Sequence, residues 1–396
     1  MSATALSGAL PRPDSSALTA HQAPRAHQVQ RFRVRFTGSG REYFRIWIVN
    51  LLLVLVTAGF YYPWAQARKY RYFHAHTVVA SHALGFHGDP RKMMRSHLVM
   101  VGLLAASAVA MAYSRAAGAL ALVLLALASP AWFQARTRAR LASTSWRGLR
   151  FGLTGRLKDA YAAVVTPLLA LLALLTLSQV LLPAMREAAA PAFAPVMQVL
   201  SGALLCVGLA ALLPYAYWRL KCHQQRHRVY AQLGADFRAR YQDMLSLFIN
   251  TATVAVLSSL AALVVGGLIF MLGLWARPDS IRPISPSESA QQALPMWLGV
   301  LALAQVIPLL YFRAKAQNLV WTRTGNRWLR FRSELGLYAL LRLSIKNWTL
   351  LALTLGLYWP FASVAMTRLK LQSVCVHMRI SPDLLVAQAQ ANHQAQ

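Results

Sequence analysis

Long uncharged apolar runs recur along the chain, each followed by a cluster of aromatic and basic residues. Six of them, 98–113, 116–133, 160–182, 195–218, 244–275 and 293–312, contain no Asp, Glu, Lys or Arg. About 20 such residues cross a hydrocarbon core, so the pattern predicts transmembrane helices. A membrane β-barrel would alternate apolar and polar positions, and these runs are apolar on every face. The predicted fold class is therefore an all-α polytopic membrane protein with six to eight spans.

The count is left open by two shorter runs, 46–64 and 348–365, which are near copies. "NLLLVLVTAGFYYPWA" at 50–65 aligns without a gap on "NWTLLALTLGLYWPFA" at 347–362. The shared residues include Asn50 and Asn347, Thr57 and Thr354, Gly59 and Gly356, and Pro63 and Pro360. If each run crosses once, there are eight spans. If each dips in and returns, there are six, with Thr57–Gly59 and Thr354–Gly356 as breaking points where glycine eases the turn.

The twin belongs to a wider repeat. Pro63, Pro130, Pro214, Pro308 and Pro360 each sit near the end of an apolar run, among aromatic residues suited to the headgroup zone. Arginines follow: Arg68 and Arg71, Arg136 and Arg138, Arg219, Arg313, Arg368. These basic stretches read as amphipathic segments able to lie on the membrane surface. Thr77, Thr144 and Thr322 stand 14 residues after their prolines, and the third unit has Arg228 there, which predicts a differently bent loop. Short pieces such as "RFRVRF" and "TSWRGLRFGL" alternate in the manner of strands. They are expected to gather beneath the membrane into a small β-rich layer.

Charge supports a membrane reading and separates the two topologies. The chain is 57% hydrophobic and 13% charged, with a net charge of +30. Lys and Arg are dense and sparse in alternate loops, as retention of basic segments in the cytoplasm requires. Six spans place 37 of the 41 basic residues inside and 4 outside; eight spans place 27 inside and 14 outside. The rule favours re-entrant twins, whereas 18 or 19 apolar residues nearly fit one crossing. Nucleic acid is not the expected partner, because the basic residues crowd against the ends of spans, within reach of anionic lipid headgroups. Residues 1–30 lack the apolar core of a signal peptide. That segment and the tail 381–396 read as disordered, flanking a multi-spanning domain over 31–380.

The stretches "FTGSGREYFRIWIVNLLLVLVTAGFYYPWAQARKYRYFHAHT", "PAWFQARTRARLASTSWRGLRFGLTG" and "TLGLYWPFASVAMTRLKL" resemble the YjgN-like family, bacterial inner-membrane proteins grouped under a domain of unknown function. The resemblance covers about residues 32–380. It implies a multi-pass plasma-membrane protein, and it supplies no catalytic residue or ligand.

Chemistry-bearing constellations are sparse. All eleven acidic residues lie outside the centres of spans, which weighs against a proton-coupled carrier. The Cys222–His223–His227 group and the histidines at 74–97 have basic neighbours and few carboxylates, so no metal is expected. No cofactor is expected, and no nucleophile elbow, phosphate loop or zinc-protease motif occurs. An enzyme is not the expected class. Arginine exceeds lysine 34 to 7. The guanidinium fork suits phosphate, although a GC-rich genome yields the same excess. Asn50 and Asn347 stand at one depth of the repeat, placed to cap or clamp a broken helix or to line a polar path. The readings that remain are a passive transporter or channel, or a module binding anionic lipid headgroups through Arg68, Arg71, Arg136, Arg138, Arg219, Arg313 and Arg368. The alternative is a scaffold or assembly factor that docks a cytoplasmic protein.

Overall fold

A computed structural model describes residues 29–178, 194–230, 233–275, 286–384 and 386–387. Strands β1 (Gln30–Arg33) and β2 (Arg35–Phe36) lead into helices α1 (Gly40–Val56) and α2 (Tyr62–Ala75). Next come β3 (Thr77–Val79), β4 (His82–Phe86), α3 (Pro90–Tyr113) and α4 (Arg115–Ala142). A third unit holds β5 (Thr144–Trp146), β6 (Leu149–Leu153), α5 (Leu157–Thr176) and α6 (Ala194–Arg226). The fourth holds β7 (Arg228–Tyr230), β8 (Leu233–Gly234), β9 (Asp236–Phe237), α7 (Tyr241–Trp275), α8 (Pro286–Ala304) and α9 (Val306–Arg323). The last holds β10 (Thr324–Gly325), β11 (Leu329–Ser333), α10 (Leu337–Leu353), α11 (Trp359–Gln372) and β12 (Val374–Met378). The expected disorder of 1–30 and 381–396 falls largely outside the described residues.

The strands form a closed antiparallel ring. One series runs β1-β12-β11-β10-β9 and the other β2-β3-β4-β5-β6-β7-β8. They join where a single segment pairs on both its edges. In 30–36 the Val34 amide donates to Val374 while the Thr37 amide donates to His76, on the opposite side. In 233–237 the Ala235 amide reaches Arg228 and the Arg238 amide reaches Arg323. Closure removes exposed strand edges. Tight two-residue turns serve two of the strand hairpins, Ala80-Ser81 and Arg147-Gly148, all four residues at positive φ. That geometry matches strand twist, and only Gly148 adopts it without cost.

Every helical excursion begins and ends on this ring. Its two feet are adjacent strand residues: Phe36 and Thr77, Phe86 and Thr144, Leu153 and Arg228, Phe237 and Thr324, Ser333 and Val374. A backbone bond locks each foot one residue further on, from the amides of Thr37, His87, Thr154, Arg238 and Glu334. The protein is thus a pseudo-fivefold ring of α-hairpins alternating with β-hairpins. Arg228 occupies the same foot as its counterparts, while part of the loop that follows it lies outside the described residues. Backbone pairing tolerates any side chain there. The fourth foot is Thr324, not Thr322, which lies inside α9. Thr77, Thr144 and Thr324 each donate to the carbonyl four residues back, ending a helix in the same way.

The β-rich layer expected from the sequence is therefore present, with its interior filled. Val34, Trp146, Tyr230, Val374, Val376, Met378 and Ile380 are buried together, with Phe32, Phe151, Trp321 and Phe331 against them. Trp146 donates its indole N–H to Val79 and Tyr230 its hydroxyl to Trp146, so both polar tips are satisfied. Burial pushes the Tyr230 hydroxyl pKa up. Past β12, Ile380 enters this core and Asp383 pairs with Arg147, carrying the chain across the ring's far end.

Neighbouring helices pack in sequence around the ring, and α11 closes against α1. Among the described residues, six helices are long and apolar enough to cross a membrane: 90–113, 115–142, 157–176, 195–226, 241–272 and 294–323. They bury little against one another, and Val109, Val199 and Leu303 are about 70% exposed. Each such side chain left in water would forfeit roughly 1.5–3 kcal/mol, so the bilayer is the medium that hides them. Helices α4 and α6 pass unbroken through Pro130 and Pro214 down to the strands. In the second, third and fourth units the basic stretches are therefore the lower ends of the spans rather than separate surface-lying segments.

Candidate functional site: two re-entrant hairpins and their arginines

The first and fifth excursions bear on the open count of spans. Helices α1 and α2 are antiparallel, with Ser39 bonded to Tyr72 at their base and Arg68 reaching back to Asn50. Both feet stand on the ring, so the run 46–64 enters and returns on one side. The run 348–365 does the same between Ser333 and Val374. Six helices are long and apolar enough to cross, and the two twin runs form helical hairpins rather than single crossing helices, which favours the six-span arrangement.

Their tips are built alike. Thr57 donates to Leu53 at 2.7 Å and accepts from the Tyr61 amide at 3.0 Å. Thr354 repeats both bonds, to Leu350 at 2.7 Å and from Tyr358 at 3.0 Å. Ala58 and Leu355 follow at φ 47° and 48°, then Gly59 and Gly356 at 91° and 94°. The Gly59 amide reaches Val54 and the Gly356 amide reaches Leu351, each at 2.8 Å. This is a Schellman closure, which takes up carbonyls that a helix end leaves unpaired. Pro63 and Pro360 then open the returning helices near the first position, where no amide donor is needed. Around the tips Leu55, Val56, Phe60, Leu353, Leu355 and Trp359 are exposed.

The paired asparagines do not cap these breaks; the threonines do. Asn50 Oδ1 accepts from Arg68 Nη1 at 3.4 Å. Asn347 is also buried, yet among the described residues its Oδ1 and the Ser344 hydroxyl have no hydrogen-bond partner. The repeat puts Ala365 where Arg68 stands, which removes the donor.

The arginines divide by what they touch. Arg138 donates to Gly155 and Arg368 to Gly38, tying one hairpin to the next, while Arg219 donates to Ala162 across the two helices of the third hairpin. Arg136 lies over the Trp132 ring and Arg68 over Tyr61. Arg71 and Arg313 are exposed, and among the described residues they pair with no carboxylate. Only Arg68 and Arg71 are brought together, in an open groove of about 560 Å³ lined also by Arg45, Ile46, Val49, Tyr72 and Ala75. Sequence reading missed Arg45. It stands before the apolar run, and only the antiparallel fold of α2 on α1 brings it to Arg68 and Arg71. On α1, Arg45, Val49, Leu52 and Val56 follow at intervals of four, three and four, one stripe leading from the groove to the tip.

The description "Bacterial protein of unknown function (DUF898)" matches residues 31–396 of this chain. The chain belongs to the DUF898 family. A segment of 44 residues is 46% identical to "Inner membrane protein YjgN" of Escherichia coli strain K12, and equally to that of strain O157:H7. The match covers 11% of this chain and 11% of each relative. No solved structure matches. With six candidate spans, these similarities support a multi-pass inner-membrane protein for this DUF898 member. Among the described residues no group of three or more His, Cys, Asp or Glu is placed to hold a metal ion.

Proposed function

We propose that the protein is a non-enzymatic inner-membrane module that holds an anionic phospholipid on its first re-entrant hairpin. The observation that carries this reading is the groove of Arg45, Arg68 and Arg71. Three arginines line it, and none has a carboxylate partner among the described residues. They receive a phosphodiester, and the stripe Val49, Leu52, Val56 carries an acyl chain toward the tip. The 37 to 4 division of basic residues supports a cytoplasmic ring and hence a site in the inner leaflet. The filled ring favours a closed floor over a conduit, so this reading is preferred to a channel.

Each cation near an anionic headgroup contributes on the order of 1 kcal/mol, so three give about 3 kcal/mol, roughly a hundredfold in affinity. Native mass spectrometry of protein extracted from mixed bilayers is expected to retain phosphatidylglycerol over phosphatidylcholine. The triple variant Arg45→Gln, Arg68→Gln, Arg71→Gln is expected to lose that preference. Equal retention by variant and wild type would sink the proposal.

A further inference from the structure

The strand that closes the ring carries a feature unrelated to the lipid groove. In the register of β1, β12 and β11, Arg31 and Arg330 stand on either side of His377, and Arg33 and Arg332 on either side of Cys375. Alternation sends Val374, Val376 and Met378 into the core and the residues between them outward. All four arginines are exposed on that outer face. Strands lie about 4.8 Å apart and rise about 3.4 Å per residue, so the four side chains root at the corners of a rectangle of about 10 by 7 Å. That is close to the screening length at physiological salt, about 8 Å, so the charges feel one another.

Like charges this close across a sheet are destabilising. Glu334 compensates Arg332 at 2.7 Å, but among the described residues Arg31, Arg33 and Arg330 pair with no carboxylate. Four guanidinium forks on a rigid frame match an ion with several phosphoryl groups, which they grip through paired N–H donors. His377 between them adds a ring N–H.

Depth selects the source of that anion. Helix α4 runs a further 12 residues from Pro130 to Ala142 before β5 starts. At 1.5 Å per residue that is about 18 Å, which sets the ring well past the proline and aromatics at the end of that span. Headgroup charge fades within a screening length of the membrane, so a lipid does not serve this face.

We propose that the outer face of β1, β12 and β11 is a binding site for a small soluble polyphosphate anion, held by Arg31, Arg33, Arg330 and Arg332. The test uses the full chain in phosphatidylcholine nanodiscs, titrated with inorganic tripolyphosphate and, separately, with sulfate at matched ionic strength. Tripolyphosphate is expected to bind at least tenfold more tightly than sulfate and to raise the melting temperature. The variant Arg31→Gln, Arg33→Gln, Arg330→Gln, which spares the Arg332–Glu334 pair, is expected to lose at least tenfold in affinity. Relieved of repulsion, it is also expected to melt at or above the wild type without ligand and to show no tripolyphosphate shift. The Arg45, Arg68, Arg71 triple variant is expected to bind tripolyphosphate unchanged, which separates this site from the groove. Equal binding of sulfate, or unchanged tripolyphosphate binding in the ring variant, would overturn the proposal. So would phosphatidylglycerol retention that depends on Arg31, Arg33 and Arg330 while tripolyphosphate does not bind.

Discussion

Arg68 hydrogen-bonds the buried amide oxygen of Asn50, while the repeat-equivalent oxygen of Asn347 has no partner among the described residues because Ala365 replaces the arginine. The two hairpins share a tip, a proline and a buried asparagine, yet only one forms this bond. A net hydrogen bond contributes about 1 kcal/mol, whereas removing an unpaired buried acceptor costs nothing in bonding. Asn50→Leu is therefore expected to lower stability by about 1 kcal/mol, and Asn347→Leu to leave it unchanged or higher. Thermal melts of the two variants in one detergent give the comparison.

At the tips, Ala58 and Leu355 adopt left-handed backbone that costs a residue with a Cβ about 1–2 kcal/mol. Ala58→Gly and Leu355→Gly are expected to stabilise by up to about 1 kcal/mol, since glycine also gains freedom in the unfolded chain. Gly59→Val, at φ 91°, is expected to destabilise. The same melts order all three.

Topology follows from the paired feet. In a background without native cysteines, Arg147→Cys and Glu334→Cys are expected to react with a membrane-impermeant maleimide from one side of the bilayer. Tyr113→Cys, exposed at the far end of α3, is expected to react only from the other. A cysteine at Leu355, on a tip that dips into the bilayer, is expected to resist the reagent from both sides. Labelling of residues 147 and 334 from opposite faces would contradict the ring.

The ring's stability rests on aromatic fill. Truncating a buried tryptophan typically costs about 3–5 kcal/mol, so Trp146→Ala is expected to be the most damaging of these substitutions. Failure to purify it folded, against a normal yield of Arg136→Gln, would agree.

Acid weakens the ring through His377. Burial, then Arg31 and Arg332, hold its imidazole pKa below the usual value, with Arg33 and Arg330 on the same face. The unfolded chain then binds the proton more readily, so stability falls as pH drops below about 6.5 toward the folded value. His377→Gln is expected to flatten that part of the pH–stability curve.

Much of this architecture can be read from the chain because the bilayer imposes length and polarity. The six spans are visible as uncharged runs, and the prolines mark corresponding depths in each unit. The strand ring can be anticipated only as a layer, since its pieces are two to five residues long and six of their ten pairings span more than forty positions. Thr322 misleads because spacing is counted from Pro308, while the fourth excursion ends two residues later, at Thr324. Arg45 is invisible for a different reason: its partners meet it only when α2 folds back on α1.

The joining of β1 to β12 has a consequence for biosynthesis. Strand β1 must wait for β12, because its partner leaves the ribosome some 340 residues later. Until then the nascent sheet has two free flanks, and a chain cut short before Val374 would keep them. Quality control has a simple criterion here, the meeting of the two ends.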